Sequence, residues 1–266
     1  MKKFLKSNLL NEGYSSTQLV FDRAEGSYVY VNKKRYIDLS NGAGTVFLGH
    51  NNKVFKNSLR NYLKSKLSNF AHPNKAAYEF SKTLKKVFPE FSKFILCSTG
   101  AEANLKAIRV ARAISKKNLI VNVTGSWHGS VDQLLFHSDS NLKKKALSEG
   151  LDSGLKKNLI YVPYNSIKKT RIILNRVKKR ISCVIIEPIQ GGLPTENCIN
   201  YLKFLSDFCK KNKIILILDE ILSGVRFNCS SIQSIYKIHA PISTFGKILG
   251  GSLPIGIIGI IYESRP

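Results

Sequence analysis

The chain has 266 residues, 43% of them hydrophobic, with 18 Gly and 8 Pro, which excludes a disordered or fibrous protein and allows a sizeable core. A net charge of +25 raises nucleic acid as a partner, but the positive residues are mostly lysines spread singly or in pairs, and the densest run, Lys143-Lys144-Lys145 beside Lys156-Lys157, falls in a loop-like segment, so a solvated surface is expected instead. Cysteines at 97, 183, 198, 209 and 229 lack metal or redox spacing and read as reduced thiols, "MKKFLKSNLLNEGYSS" is a poor signal peptide interrupted by Lys6, Ser7 and Asn8, and no apolar run spans a membrane, so a cytoplasmic protein without a metal site is expected.

The segment "GSYVYVNKKRYIDLS" alternates in polarity around Asn32-Lys33-Lys34 and predicts a small hairpin outside the main sheet. Phe55, Leu59, Tyr62 and Leu63, then Phe80, Leu84 and Phe88, recur at helical spacing. Short apolar runs follow at 94–97, 119–123, 159–162, 183–186 and 214–218, with a helical stripe of Tyr201, Leu205 and Phe208 between the last two. Strands apolar throughout and separated by amphipathic helices predict an α/β fold, a mainly parallel sheet covered by helices on both faces. Such sheets bind ligands beyond the carboxyl ends of their strands.

Each of those ends carries something to weigh. After "FILC", Thr99 and Glu102 have capping-box spacing, and Gly100 opens a helix whose free N–H groups suit a phosphate; a merely well-capped helix is the plainer reading. After "LIVNV", Trp127 is compatible with core packing or with stacking on a flat ring, and His128 alone reads as a structural histidine. Glu187, after "CVII", is a carboxylate at a site rim or a loop cap. Asp219 leaves a buried strand, where an acid needs a cationic partner, hydrogen bonds or a raised pKa. Lys247 stands in the apolar, glycine-rich "TFGKILGG", where burial favours a neutral, nucleophilic amine able to condense with an aldehyde. Pro241 and Ile248 stand where a P-loop needs Gly and Ser or Thr, so that reading is excluded.

Together, "DRAEGSYVYVNKKRYIDLSNGAGTVFLGH", "STGAEANLKAIRVARA", "GSWHGS", "VIIEPIQGG", "ILDEILSGVRF" and "TFGKILGGSLPIG" resemble, in order and over nearly the whole chain, the fold-type I, class III aminotransferases that depend on pyridoxal 5'-phosphate (PLP), nearest to their glutamate-1-semialdehyde 2,1-aminomutase branch. The resemblance implies an N-terminal segment over 1–52, a PLP-binding large domain over 53–266, and a C-terminal small domain beyond the residues present here. It implies Lys247 as the internal-aldimine lysine and proton carrier, and Asp219 as the partner of the pyridine nitrogen. It implies Thr99, Gly100 and Ala101 as a phosphate cup, Trp127 (where the family usually has tyrosine) stacking on the ring, and Ile221 packing on the opposite face. His128, Gly129 and Glu187 lie in the family's motifs. Leu222 and Gly192 depart from the general transaminase pattern, and no substrate residue is carried over. Amino-group transfer on a small amino or oxo acid by a homodimer is the implied activity; a truncated, non-catalytic module that dimerises or binds a partner is the alternative.

Overall fold

The computed structural model describes residues 20–65, 72–139, 143–195 and 197–261, so the reading of residues 1–16 as a poor signal peptide lies outside the described residues. The chain divides into two compact units, 1–68 and 69–266.

The first unit contains an antiparallel meander of β1 (Arg23–Glu25), β2 (Tyr28–Val31) and β3 (Lys34–Ile37). This corrects the expected hairpin in two respects. A third strand pairs with β2, and the turn has two residues, since Lys34 already pairs with Val31. Asn32 and Lys33 both have positive φ, 49° and 68°, the geometry whose twist fits two tightly joined strands. A short turn, α1 (Asn41–Gly44), and the amphipathic helix α2 (Lys53–Lys64) follow. Asn52 caps α2 by accepting the Val54 N–H at 2.8 Å. The division into units thus falls after α2, whereas the sequence reading puts a boundary before it.

The second unit runs α3 (Lys75–Val87), β4 (Lys93–Cys97), α4 (Gly100–Ser115), β5 (Leu119–Val123), β6 (Phe136–Ser138), β7 (Lys144–Ala146) and β8 (Leu159–Val162). It continues with α5 (Ile167–Val177), β9 (Ile181–Ile186), α6 (Cys198–Lys211), β10 (Ile215–Asp219), α7 (Ile232–Tyr236), β11 (Ile242–Gly246) and β12 (Gly256–Ile260). Seven strands form one sheet in the order β4-β12-β11-β10-β9-β5-β8. The pairings among β8, β5, β9, β10 and β11 are parallel, as expected. Only β12 is antiparallel to its neighbours. The link from β11 to β12 is shorter than the crossover a parallel pair requires, so the chain must double back. A second difference is that Lys144–Ala146 is not loop but β7, paired antiparallel with β6. The Lys144 ammonium reaches into the backbone there, donating to the carbonyls of Leu159, at 2.9 Å, and Lys156.

The pleat sorts the strands' side chains between the sheet's two faces. Ile120, Cys183, Ile185, Ile217 and Ile242 pack with Ala103, Ala107, Ile108 and Ala111 of α4. Val121, Val123, Val184, Ile186, Leu216 and Leu218 pack with Leu174 of α5 and Tyr201, Leu202 and Leu205 of α6. Phe88, Phe91 and Phe245 close the β4–β11 end, with the Phe88 and Phe245 rings stacked at 4.2 Å. This two-sided burial is why the strands read as continuous apolar runs. Emptying one fully buried position on either face, Leu205→Ala for example, costs about 2–5 kcal/mol. A rigid sheet so made fixes the strand ends to which the polar groups are attached.

Candidate active site

Four neighbouring parallel strands deliver polar groups at their carboxyl ends. Lys247 follows β11, Asp219 ends β10, Glu187 follows β9, and Trp127 and His128 lie just past β5. From β5 the chain moves outward to β8, then returns to β9 and steps toward β4 through β10 and β11. The site therefore spans the point where strand order reverses, where the two directions of connection leave a crevice.

Asp219 is the best-held group. Its Oδ2 accepts from His128 Nδ1 at 2.7 Å and from Asn104 Nδ2 at 2.8 Å, and its Oδ1 accepts the Ile221 N–H at 3.1 Å. Asn104, on α4, also donates to the His128 carbonyl at 3.1 Å and accepts the Thr244 hydroxyl at 2.7 Å. The His128 and Asp219 side chains are 0% and 2% exposed, so these bonds operate away from water, where they are stronger. Behind His128, its Nε2 lies 3.1 Å from Asn122 Oδ1. Tyr161 donates to the Phe136 carbonyl, and burial, against the pull of Asn122, pushes its phenol up to about 12.

Glu187 holds the β5 loop. Its Oε1 accepts the Trp127 N–H at 2.6 Å and its Oε2 the Gly191 N–H at 3.3 Å. Gln190 ties down the same loop, donating to the Thr124 carbonyl at 2.8 Å and to Ser126 Oγ at 3.1 Å. Burial, then the Asp219 charge, raises the Glu187 carboxyl above its ordinary value, against the pull of the Trp127 bond. The Trp127 side chain is left about half exposed. Lys247 has φ of 45°, a left-handed conformation that costs a non-glycine residue about 1–3 kcal/mol. Burial lowers its ammonium below the usual lysine range, and the charges of Glu187 and Asp219 oppose that shift.

At the β4 end, the Thr99 hydroxyl accepts the Glu102 N–H at 3.1 Å, the first half of a capping box, while the Glu102 carboxylate reaches one residue past the cap and accepts the Ser98 N–H at 2.7 Å. The first turn of α4 lies against Ile221: a Cβ on Gly100 would sit 2.7 Å from Ile221 Cδ1. A Cβ on Gly129, whose φ is +77°, would sit 3.0 Å from Ala101 Cβ. Gly256 of β12 passes so close that its Cβ would strike the Thr99 carbonyl at 2.0 Å. Bare backbone at these positions lets α4, β12 and the Trp127 loop approach one another.

The structure thus joins Asp219 to His128, Glu187 to the Trp127 backbone, Gly100 to Ile221 and Ala101 to Gly129, and puts the Lys247 charge within the influence of both Glu187 and Asp219. The Thr99 hydroxyl is engaged in its cap. Sequence reasoning missed Asn104, Asn122, Gln190 and Thr244. Two of them, Asn104 and Asn122, carry one signal: each is a lone polar residue within an otherwise apolar set, the inner stripe of α4 and "LIVNV", and each is buried. The described residues include no group of three or more His, Cys, Asp or Glu able to hold a metal ion. None of the described helices is long and apolar enough to cross a membrane.

Comparison with known proteins bears on this arrangement. Residues 9–261 match the family model described as aminotransferase class-III. The chain is 32% identical over 248 residues to a glutamate-1-semialdehyde 2,1-aminomutase from Cytophaga hutchinsonii, covering 91% of this chain and 57% of that protein. It therefore spans little more than half the length of this relative. An omega-transaminase from Sphaerobacter thermophilus has the same fold, with a TM-score of 0.82 and 23% identity over 90% of this chain and 57% of the other. So does a transaminase solved with PLP bound, with a TM-score of 0.83 and 24% identity over 92% and 58%. From its ordered motifs, its fold and the match to the family model, the chain belongs to the class III aminotransferase family.

Proposed function

We propose that this chain takes part in PLP-dependent amino-group transfer, as an aminotransferase or an aminomutase of the glutamate-1-semialdehyde 2,1 type. The observation that carries the reading is the meeting, at adjacent strand ends, of a half-buried lysine and a buried aspartate held by three donors. The donor set fits the cofactor. Asp219 offers an acceptor for a protonated ring nitrogen, Lys247 an amine for an aldehyde, and the α4 N-terminus, cleared by Gly100, free N–H groups for a phosphate. When bound, PLP supplies an electron sink for charge developing on a substrate carbon.

The residues of the chain do the rest. Asp219 would hold the ring nitrogen's proton, and its own orientation is fixed by His128, Asn104 and the Ile221 N–H. Lys247, its ammonium destabilised by burial, would offer the amine that holds the cofactor through its aldehyde, with the carbonyl oxygen leaving as water, and would carry a proton to or from the substrate. Glu187 fixes the backbone from which Trp127 offers its ring for stacking, and Ile221 offers an aliphatic surface. Small amino and oxo acids as substrates, a homodimer and the cytoplasm belong to the same reading; unpaired cysteines support the last.

The test is spectroscopic. Added PLP should gain a long-wavelength absorption band on the protein that is missing with Lys247→Ala. Identical spectra for the two proteins would remove Lys247 from the role.

A further inference from the structure

The amino end of the sheet, away from Asp219 and Lys247, holds a cavity of about 490 Å³. The last turn of α4 reaches it with Ile114 and Ser115, and α6 turns back into β10 beside it through Lys213, whose φ is 54°. Ile215, on its wall, opens β10, and Asp219 closes the same strand about 13 Å further along. The lining is of two kinds. Ile114, about half exposed, adjoins Ile214 and Ile215 in an apolar wall. Lys117, Lys210 and Lys213 supply positive charge, and neither Asp nor Glu belongs to the lining. None of these three lysine side chains has an ion-pair or hydrogen-bond partner among the described residues.

The hydroxyl groups there are already engaged. Ser115 Oγ lies 2.9 Å from Ser182 Oγ and accepts the Lys117 N–H at 3.3 Å. Ser206 Oγ donates to the His239 carbonyl at 2.9 Å and accepts its N–H at 3.2 Å. Recognition is left to charge and apolar surface. The negative ends of α4 and α6 favour cations at this edge, but three full charges around one cavity repel one another until an anion joins them. We propose that the cavity binds a small organic phosphate, its doubly charged head among Lys117, Lys210 and Lys213 and its apolar body against Ile114, Ile214 and Ile215. Lysine suits that head, because an ammonium is a compact point charge, whereas the fork with which arginine grips a carboxylate is missing from the lining. The volume falls within the range of small-molecule sites, about 300–1,000 Å³. Neither Lys247 nor Asp219 takes part, so the proposal stands apart from the cofactor reading.

Amide NMR of the full chain titrated with phenyl phosphate, which joins such a head to a flat apolar ring, reads the site directly. The Lys213, Ile214 and His239 amide signals should shift saturably, with a Kd below about 1 mM. Shifts confined to Gly100 and Ala101, at the start of α4, would overturn the proposal. Lys210→Gln with Lys213→Gln removes two exposed charges and should weaken binding about tenfold or more, with the unfolding midpoint unchanged. Lys168→Gln with Lys169→Gln takes the same charge from exposed positions on α5 and should leave the Kd as it was. Equal losses in the two double variants would reduce the effect to net charge and contradict a site. Inorganic phosphate and benzyl alcohol each carry half of the ligand and should bind more weakly than phenyl phosphate. Benzyl alcohol binding as tightly would remove the lysines from the role, inorganic phosphate binding as tightly would remove the apolar wall, and benzoate binding more tightly would contradict the ligand class.

Discussion

Asp219 and Glu220 are consecutive and both buried, yet they lie in opposite surroundings. Asp219 sits on the α4 side of the sheet end, where His128, Asn104 and the Ile221 N–H all donate to it. Glu220 is turned toward the start of α7. Its carboxyl accepts the Ile232 N–H and lies 3.5 Å from the Ser243 hydroxyl, with a second acid, Glu90, nearby. Glu90 in turn accepts the Ser231 hydroxyl through Oε1, while its buried Oε2 has no hydrogen-bond partner among the described residues. Burial, aided by Glu90 and opposed by the Ile232 bond, pushes Glu220 up to about 8. Two adjacent carboxyls in one sequence motif therefore have different surroundings. Asp219 is held by three donors; Glu220, its carboxyl raised by burial, braces the connection to α7.

The contrast breaks most completely at Asp219. Asp219→Ala leaves the buried His128 and Asn104 donors without their acceptor, at about 1–3 kcal/mol for each unsatisfied group. Thermal or denaturant unfolding should register that loss, and the long-wavelength band of added PLP should disappear with it. Glu220→Gln should spare the band and change only the pH dependence of stability. The folded-state value lies above the ordinary 4.5, so the unfolded chain releases this proton first as pH rises. The contribution is then complete below about pH 4.5, declines up to about pH 8 and is level above it. Denaturation curves across that window should show a decline of a few kcal/mol in the parent, much reduced in Glu220→Gln. Asn104→Ala removes one donor from Asp219 and the acceptor of Thr244, a loss of about 1–3 kcal/mol in unfolding experiments, with weaker PLP binding. Thr244→Val takes away the hydroxyl that orients Asn104 and that lies, at 3.5 Å, on the outer limit of a bond to Asp219 Oδ1. Its effect should be the smallest, about 1 kcal/mol in the same assay, with the band retained.

The difference between Asp219 and Glu220 was only half legible in the sequence. The apolar run before them marks a buried strand, and its carboxyl end marks a place for chemistry, which is enough to single out Asp219. Period 2 puts neighbours on opposite faces, but nothing local tells which face holds the donors. That depends on Asn104 and His128, which are 115 and 91 positions away in the chain. The same limit hid Asn122, whose partners are set by strand order. The antiparallel β12 escaped because its glycine-rich run resembles the other buried strands, and direction is settled by the length of its connection to β11. By contrast, the capping box at Thr99 and Glu102 is legible because every partner lies within one helical turn.

The central claim is that Lys247, among many lysines, is the one placed to bond to the cofactor aldehyde. Substoichiometric PLP followed by borohydride reduction and peptide mass spectrometry tests it directly, because reduction fixes the cofactor on whichever amine it has joined. The account predicts that the added mass resides on the peptide containing Lys247 and that the exposed lysines stay largely unmodified. Label scattered over the surface lysines, with the Lys247 peptide unmodified, would contradict it.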